Sequence, residues 1–272
     1  MEDFTIAIYC FIDDILKVGH KKSGNRRKLS DSEIITSALI SARYFGGNYE
    51  KGRKYLEEVH FFDYPDKSNY NRHLNRLAST ISSLFLQVGQ VLKKLNTSSE
   101  YIIDSFPVAV CKNVRIPRCK LLQGEAYRGY NNSKKEYFYG FKIQVITTAD
   151  GIPVEFFISA GSYHDITAFQ SMNIDLPPDS KLYADKAYTD YELEDYYKEL
   201  EQIDMLVIRK ANSKRKDHPA TDFLKKLIRK RIETSFAEMT AWFPKKIHAV
   251  TTQGFLLKII LFLFAYSFHR VF

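Results

Sequence analysis

The chain has 272 residues, 45% of them hydrophobic and 26% charged, and its formal net charge is +8. This is the composition of a globular protein with one large domain or two smaller ones. The basic balance favours a polyanionic partner. The three cysteines, Cys10, Cys111 and Cys119, show neither a disulfide framework nor a zinc-binding spacing. We therefore expect reduced thiols in a cytoplasmic protein, and the acids near the N-terminus argue against a secretion signal.

The first third of the chain is predicted to be helical. Residues 4–18 are apolar at helical spacing, and a basic loop follows at 19–28. A capping box at 30–33 starts a second helix, and a glycine pair at 46–47 ends it directly before a third helix. Two helices joined by a short glycine turn can form a helix-turn-helix DNA reader or an ordinary helical hairpin.

A long helix over residues 69–95 is predicted to close this region. The polar stretch at 96–100 follows it and marks a natural boundary. We therefore predict a helical, DNA-binding domain over residues 1–98 and a second domain over residues 99–272.

Strands alternate with helices after residue 100. Five strands are predicted, at 101–110, 137–148, 152–161, 180–190 and 203–210. Helices are predicted at 165–172, 191–202 and 222–243. The Asp150-Gly151 pair indicates a hairpin between the second and third strands. This order predicts a mixed five-stranded sheet, with the hairpin antiparallel to the first strand and the later strands parallel on its other side. It is the order of the ribonuclease H-like fold.

The C-terminal segment, residues 254–272, is strongly apolar and close to the length that spans a bilayer. Lys258 interrupts it, and His269 and Arg270 lie in its last turn. We therefore expect a buried terminal helix rather than a membrane span.

Three carboxylates fall on matching elements of this fold. Asp104 lies within the apolar first strand, Asp185 ends the fourth strand, and Glu233 lies beside the apolar stripe of the long helix. If they converge, they repel one another and their pKa values rise, and divalent cations remove that cost. Hard oxygen ligands suit Mg²⁺ or Mn²⁺, and two such ions can activate an attacking oxygen and stabilise a leaving one in phosphoryl transfer.

Each carboxylate also has an ordinary structural interpretation. Asp104 can be a satisfied polar group in the core, and Asp185 can cap the helix that follows it. Glu233 can form an ion pair with Arg229, four residues earlier on the same helix. The joint position of the three on one fold favours a metal site, so we expect a metal ion rather than an arginine or lysine beside Asp104.

Five short motifs occur in order over residues 103–236, namely IDSFPV, YGFK, GSYHD, YADKAY and RKRIETSF. In these motifs the chain resembles the DDE transposases of bacterial insertion sequences, in the group with a helical N-terminal domain and an uninterrupted ribonuclease H-like core. The resemblance implies that Asp104, Asp185 and Glu233 are the catalytic triad and bind two Mg²⁺ or Mn²⁺ ions.

The same resemblance implies the reaction and the partners. The protein would cut double-stranded DNA at the terminal inverted repeats of its own element and join the 3′-hydroxyl ends to target DNA. Cutting paired ends implies at least a homodimer, and the expected location is the bacterial cytoplasm, at the nucleoid and without a membrane. Two rival functions are a domesticated or structure-specific nuclease on the same fold and a non-catalytic DNA-binding regulator.

The chain departs from related groups around the third acid. Those groups place a Tyr seven residues before the catalytic Glu, an Arg four before it and a Lys seven after it. Here these positions are Lys226, Arg229 and Thr240, so only the arginine matches.

A basic cluster at 209–231 leads into Glu233 and is expected to contact DNA phosphates. The residues predicted to bind DNA are Arg209, Lys210, Lys214, Arg215, Lys216, Lys226, Arg229, Lys230 and Arg231, together with Lys142 and Lys186 near the motifs. His164 and Asp165 are possible accessory residues that orient water or substrate, and Asp165 can alternatively cap a helix. The long loop at 111–135 combines basic residues with Tyr127 and Tyr130, which suits either a clamp on distorted DNA ends or a surface loop.

Overall fold

The computed structural model describes residues 1–19, 28–132 and 134–272, and within these it leaves the side chains of Arg231 and Ile232 undescribed. The predicted basic loop at 19–28 therefore falls mostly outside the described residues. Two compact units are present. The first consists of Met1–Phe85 and Trp242–Phe272, and the second of Leu86–Ala241.

The first unit is built from helices. They are α1 (Glu2–Gly19), α2 (Asp31–Phe45), α3 (Tyr49–His60), α4 (Lys67–Arg76), the first part of α5 (Ala78–Leu95) and α9 (Thr252–Val271). The predicted capping box at Ser30 and Glu33 is present in both directions. Gly46 ends α2 in the left-handed region, with φ 56°, which glycine adopts without strain.

The predicted long helix at 69–95 is instead two helices, α4 and α5. The side chain of Asp66 accepts hydrogen bonds from the N–H groups of Ser68 and Asn69, so a helix starts earlier than predicted. The backbone of Leu77 leaves the helical region, with φ −83° and ψ 2°, and this break lets Leu77 bury its side chain together with Leu74.

The C-terminal helix α9 belongs to the first unit, whereas the predicted boundary assigned it to the domain of residues 99–272. Residues 259–268 of α9 are all buried, and α9 contacts α2. This packing is what groups α9 with the N-terminal helices. Among the described residues, α9 is the helix that is long and apolar enough to cross a membrane, a test that core helices of this composition also meet.

The second unit is a sheet with flanking helices. Its strands are β1 (Glu100–Cys111), β2 (Arg128–Asn131), β3 (Glu136–Thr148), β4 (Pro153–Ala160), β5 (Lys181–Ala184) and β6 (Asp204–Val207). Its helices are the rest of α5, α6 (Asp165–Gln170), α7 (Tyr191–Leu200) and α8 (Pro219–Ala241). β3 and β4 form the predicted antiparallel hairpin, β3 is antiparallel to β1, and β5 and β6 run parallel on the other side of β1.

The sheet has six strands within the described residues, and not the predicted five. The additional strand, β2, comes from the long loop at 111–135. β3 extends beyond its pairing with β4, and β2 pairs with this extension from Arg128 opposite Tyr139 to Asn131 opposite Glu136. A backbone edge that would otherwise lack partners is thereby hydrogen-bonded.

The apolar stripe predicted for α8 is buried only toward its end. Phe236 and Met239 are buried, and Phe236 packs edge-on against Phe106 of β1. Leu224, at the start of the stripe, is 55% exposed. Phe236 therefore anchors the second half of α8, which carries Glu233, on the sheet.

Candidate active site

Asp104 and Asp185 lie side by side because of strand register. β1 and β5 are parallel neighbours, and Ile103 is paired with Ala184. Asp104 and Asp185 are the next residues on these two strands. The sequence prediction that the first and fourth strands are neighbours is thereby confirmed.

The carboxyl of Asp104 is in an environment that disfavours its charged form. Burial, together with the negative charges of Asp185 and Asp165, raises its pKa to about 6. The N–H of Ser105 donates to its Oδ1 at 2.7 Å, and the positive charge of Arg229 also favours the ionised form. An additional cation would complete the neutralisation.

Arg229 links the other two acids. Its Nη1 donates to Oδ1 of Asp185, and its Nε donates to Oε1 of Glu233 at 3.1 Å. The ion pair between Arg229 and Glu233 that we weighed as an alternative is therefore present. An arginine also lies near Asp104, where the sequence predicted a metal ion instead.

The donor set fits a hard divalent cation, with one rearrangement. Asp104 within β1 and Asp185 directly after β5 offer carboxylate oxygens next to each other, and the guanidinium of Arg229 stands in for a cation beside them. Among the described residues, no group of three acids, histidines or cysteines is close enough to hold a metal ion as it stands. The side chain of Glu233 is 62% exposed, so it could approach the pair once Arg229 withdraws.

Asp165 is a fourth carboxylate beside this pair. It accepts a hydrogen bond from Oγ of Ser105 at 2.6 Å and lies 3.4 Å from Nζ of Lys142. The predicted alternative of a helix cap by Asp165 is wrong, because His164 occupies the N-cap position of α6 and makes no side-chain cap bond. His164 is exposed.

Two buried residues of the site were missed by sequence reasoning. Tyr188 is 1% exposed, and burial together with the charges of Asp165 and Asp104 raises its pKa well above the ordinary value. Its position in the YADKAY motif, three residues after Asp185, was the available signal. The other is Lys225, which lines a small cleft with Asp104 and Asp185.

Lys225 is 3% exposed although it belongs to the basic cluster. Its Nζ donates to the carbonyl of Val207 at 3.1 Å and to Oδ2 of Asp217 at 2.7 Å. A buried lysine needs such partners, and here they tie α8 to the end of β6. Because only the tertiary contacts bury Lys225, the charge pattern alone could not separate it from its exposed neighbours.

Two arginines of the predicted basic cluster, Arg209 and Arg215, pair with acids of α7. Arg209 donates to both carboxylate oxygens of Glu194, at 2.6 and 2.5 Å. Arg215 does the same with Asp195, at 2.6 and 2.7 Å. Their charge is therefore largely neutralised within the unit, which reduces the field available to DNA.

Of the other predicted DNA-binding residues, some also have partners within the unit and others are exposed. Lys226 pairs with Asp222 at 2.6 Å, and Lys142 donates to the carbonyl of Tyr163 at 2.8 Å. Arg231 lies outside the described side chains. The exposed lysines of the predicted set are Lys186, Lys210, Lys214, Lys216, Lys226 and Lys230.

The two tyrosines predicted in the long loop have different environments. Tyr127 packs edge-on against Tyr139 and Phe141, so its role is in the packing of the unit. Tyr130 is 44% exposed on β2 and packs against Tyr137, which is 62% exposed on β3. The exposed aromatic pair therefore comprises Tyr130 and Tyr137, and the loop prediction missed Tyr137.

A mixed sheet of this order, with Asp104 and Asp185 adjacent on β1 and after β5 and a third acid on α8, is the arrangement of the ribonuclease H-like class. The family model described as a transposase DDE domain matches residues 94–247, which is more than half of the chain. The chain belongs to this family and is a DDE transposase of an insertion sequence. Comparison with curated proteins and with solved structures finds no significant match. Membership makes the protein a DNA-acting enzyme of a family that generally uses divalent metal ions.

Proposed function

We propose that the protein cuts the terminal inverted repeats of its own element and joins the resulting 3′-hydroxyl ends to target DNA. Asp104, Asp185 and Glu233 would hold two Mg²⁺ or Mn²⁺ ions for both steps. The observation that carries the proposal is the register of β1 and β5, which brings Asp104 and Asp185 together, with Glu233 tied to Asp185 through Arg229.

The chain supplies a rigid frame for this chemistry. Asp104 is paired with Val145 of β3 and directly follows Ile103, which is paired with Ala184 of β5. Bound divalent ions would activate the attacking oxygen, which is water in cutting and a 3′-hydroxyl in joining, and would stabilise the leaving oxygen. No nucleophilic side chain is then required.

Arg229 would act as a removable counter-ion. In the metal-free arrangement its guanidinium neutralises Asp185 and Glu233. With Asp185 and Glu233 holding metal ions instead, the same guanidinium would be free to bind a DNA phosphate. Arginine suits this exchange because it stays charged and forms paired hydrogen bonds with either group.

The exposed lysines of the predicted basic set would bind phosphates around this site. Such contacts are independent of sequence and weaken as salt rises. Paired cutting of two ends would require at least a homodimer, and we place the reaction in the bacterial cytoplasm at the nucleoid. His164 and Asp165 would orient water or substrate beside Asp104.

The test combines purified full-length protein, duplex DNA ending in the terminal repeat of the element, and Mg²⁺ or Mn²⁺. Asp104→Asn, Asp185→Asn and Glu233→Gln should each abolish cutting and joining while the protein still binds the duplex. Asp222→Asn is the matched control, because it removes an acid of α8 whose ion pair among the described residues is with Lys226. It should leave the rates within about twofold, as for other surface changes.

Three outcomes would contradict the proposal in different ways. Cutting by Asp104→Asn at the wild-type rate would remove the metal assignment of Asp104. Cutting without joining would favour a structure-specific nuclease. Binding without cutting by the wild-type protein would favour a non-catalytic regulator.

A further inference from the structure

The short helix α4 presents two different faces. Its inner face is apolar, with Tyr70 and Leu74 at 0% and 1% exposure. Its outer residues are polar or positive and exposed: Lys67, Ser68, Asn69, Arg72 and Arg76. The helix contains no acid from its first to its last residue. The buried face holds the helix in the first unit, and the other face is left for a partner.

Charge distinguishes α4 from α3, the second helix of the helix-turn-helix that the glycine turn suggested. α3 carries three acids, Glu50, Glu57 and Glu58, which balance its three Lys and Arg residues. α4 carries three Lys and Arg residues and no acid. A polyanion would therefore be attracted more strongly to α4 than to α3, where the charges cancel.

The side chains along the outer face share one helical stripe. Asn69, Arg72 and Arg76 are spaced by three and four residues, so they point to the same side. Nη1 of Arg72 donates to Oδ1 of Asn69 at 2.8 Å. Among the described residues, neither Arg72 nor Arg76 forms an ion pair with an acid, in contrast to Arg209 and Arg215. Within the described part of the chain, the bond to Asn69 is the hydrogen bond that these two guanidinium groups make. Asn69 itself also donates through Nδ2 to Asp66, the N-cap of α4, so docking on bases would exchange these local bonds for bonds to DNA.

The helix is held rigidly where it enters the fold. Arg53 of α3 donates to the carbonyl of Pro65 at 2.8 Å and lies over the rings of Tyr64 and Tyr70, at 5.0 and 5.2 Å from their centroids. His73, on the flank of α4, lies 2.7 Å from Asp31 at the start of α2. A rigid helix loses little entropy when it docks, which favours selective binding.

We infer that α4 is the helix that enters the major groove of the element's end DNA and reads base edges there through Asn69, Arg72 and Arg76. The major groove admits an α-helix, arginine pairs with guanine, and asparagine pairs with adenine. A groove of about 660 Å³ along the same face gives room for the adjacent backbone. Its charged lining consists of Lys28, Arg72 and Arg76 together with two acids, Asp31 and Asp66. The inference rests on the proposed function, since it assumes that the ligand is the DNA end.

The experiment uses the full-length protein without divalent ions, so that binding is measured apart from cutting. A duplex library with a randomised core is selected on the wild-type protein and sequenced. Affinities are then measured for the preferred duplex and for a scrambled duplex of the same composition, over a range of salt concentrations. Melting of each variant shows that it is folded.

Three variants test the reading face. Arg72→Ala and Arg76→Ala should each weaken binding to the preferred duplex by roughly 10-fold to 100-fold and binding to the scrambled duplex far less. Arg72→Lys keeps the charge but not the paired donors, so it should lose preference at one base position while keeping the salt dependence. Lys54→Ala removes an exposed charge from α3 and should leave the preference unchanged.

Three results would overturn the inference. In the first, the wild-type protein selects no sequence. In the second, the α4 variants keep the wild-type sequence preference. In the third, the α4 variants lose equal affinity for the preferred and the scrambled duplex, which would indicate contacts to phosphates only. These results are independent of the proposed reaction. A protein that selects a sequence through α4 but never cuts would refute the transposase reaction, and one that cuts without using α4 would refute only this inference.

Discussion

The carboxyl of Asp104 should make the metal-free protein less stable at neutral pH, and Asp104→Asn should relieve this. The folded protein holds the proton of Asp104 more tightly than the unfolded chain does, because its pKa is raised from 3.8 to about 6. Stability from this group is therefore greatest below pH 4 and is lost as pH rises through about 6. Asparagine keeps an oxygen that can accept from the Ser105 N–H but carries no charge at any pH.

The magnitude follows from the pKa difference. Roughly a 100-fold change in proton affinity between the folded and unfolded states corresponds to about 3 kcal/mol at pH 7.5. This difference already includes the attraction of Arg229 for the ionised group. We expect Asp104→Asn to raise the free energy of unfolding by about 1–3 kcal/mol at pH 7.5, and by nearly nothing at pH 4.

The assay is urea unfolding in EDTA at several pH values between 4 and 8, followed by circular dichroism. Asp204→Asn is the control, because it removes an exposed acid of the same unit that pairs with Lys198, and it should change stability by less than about 1 kcal/mol. A destabilised Asp104→Asn protein would refute the reasoning. A gain that does not depend on pH would refute it as well, since the effect would then not come from the charge.

Two further substitutions probe other charges. Arg229→Gln removes the counter-ion of the site, so the free energy of unfolding without metal should fall by about 1 kcal/mol at pH 8, more than it falls in Lys230→Gln. Added Mn²⁺ should restore the melting temperature of Arg229→Gln. Equal losses in the two variants would contradict the counter-ion role. Lys93→Met leaves Glu155 buried without its partner at 2.5 Å and should cost about 3–5 kcal/mol in urea unfolding, whereas Lys28→Met breaks an exposed pair and should cost less than about 1 kcal/mol. A small loss for Lys93→Met would show that the buried pair does not stabilise the unit.

The sheet around the site was largely predictable because the relevant signals are local. An Asp-Gly turn predicts a hairpin, and alternation of strands and helices predicts parallel neighbours, so the placement of Asp104 beside Asp185 follows. The strand β2 could not be predicted, because it pairs with the part of β3 that extends beyond the end of β4. The break at Leu77 was missed for a similar reason, because tertiary burial and not helix propensity decides it.

Charge counting was the least reliable guide to the site. Arg209 and Arg215 contribute to a basic run in the sequence, yet acids 15 and 20 residues earlier in the chain pair with them. The stripe of α8 showed the same limit, since Leu224 has the spacing of a buried residue and is exposed. In contrast, Arg229 could be assigned to the site, because its distance of four residues from Glu233 fixes their contact within one helix.

The most direct test of the account replaces the proposed ions with Fe²⁺ and uses ascorbate and peroxide to cut the protein backbone next to the bound metal. Divalent ions held jointly by Asp104, Asp185 and Glu233 predict cuts within a few residues of all three positions. Mg²⁺ or Mn²⁺ should suppress these cuts, and Asp104→Asn should remove them. Cuts confined to other parts of the chain, or cuts near Asp104 and Asp185 but never near Glu233 even with DNA bound, would contradict the three-acid metal site.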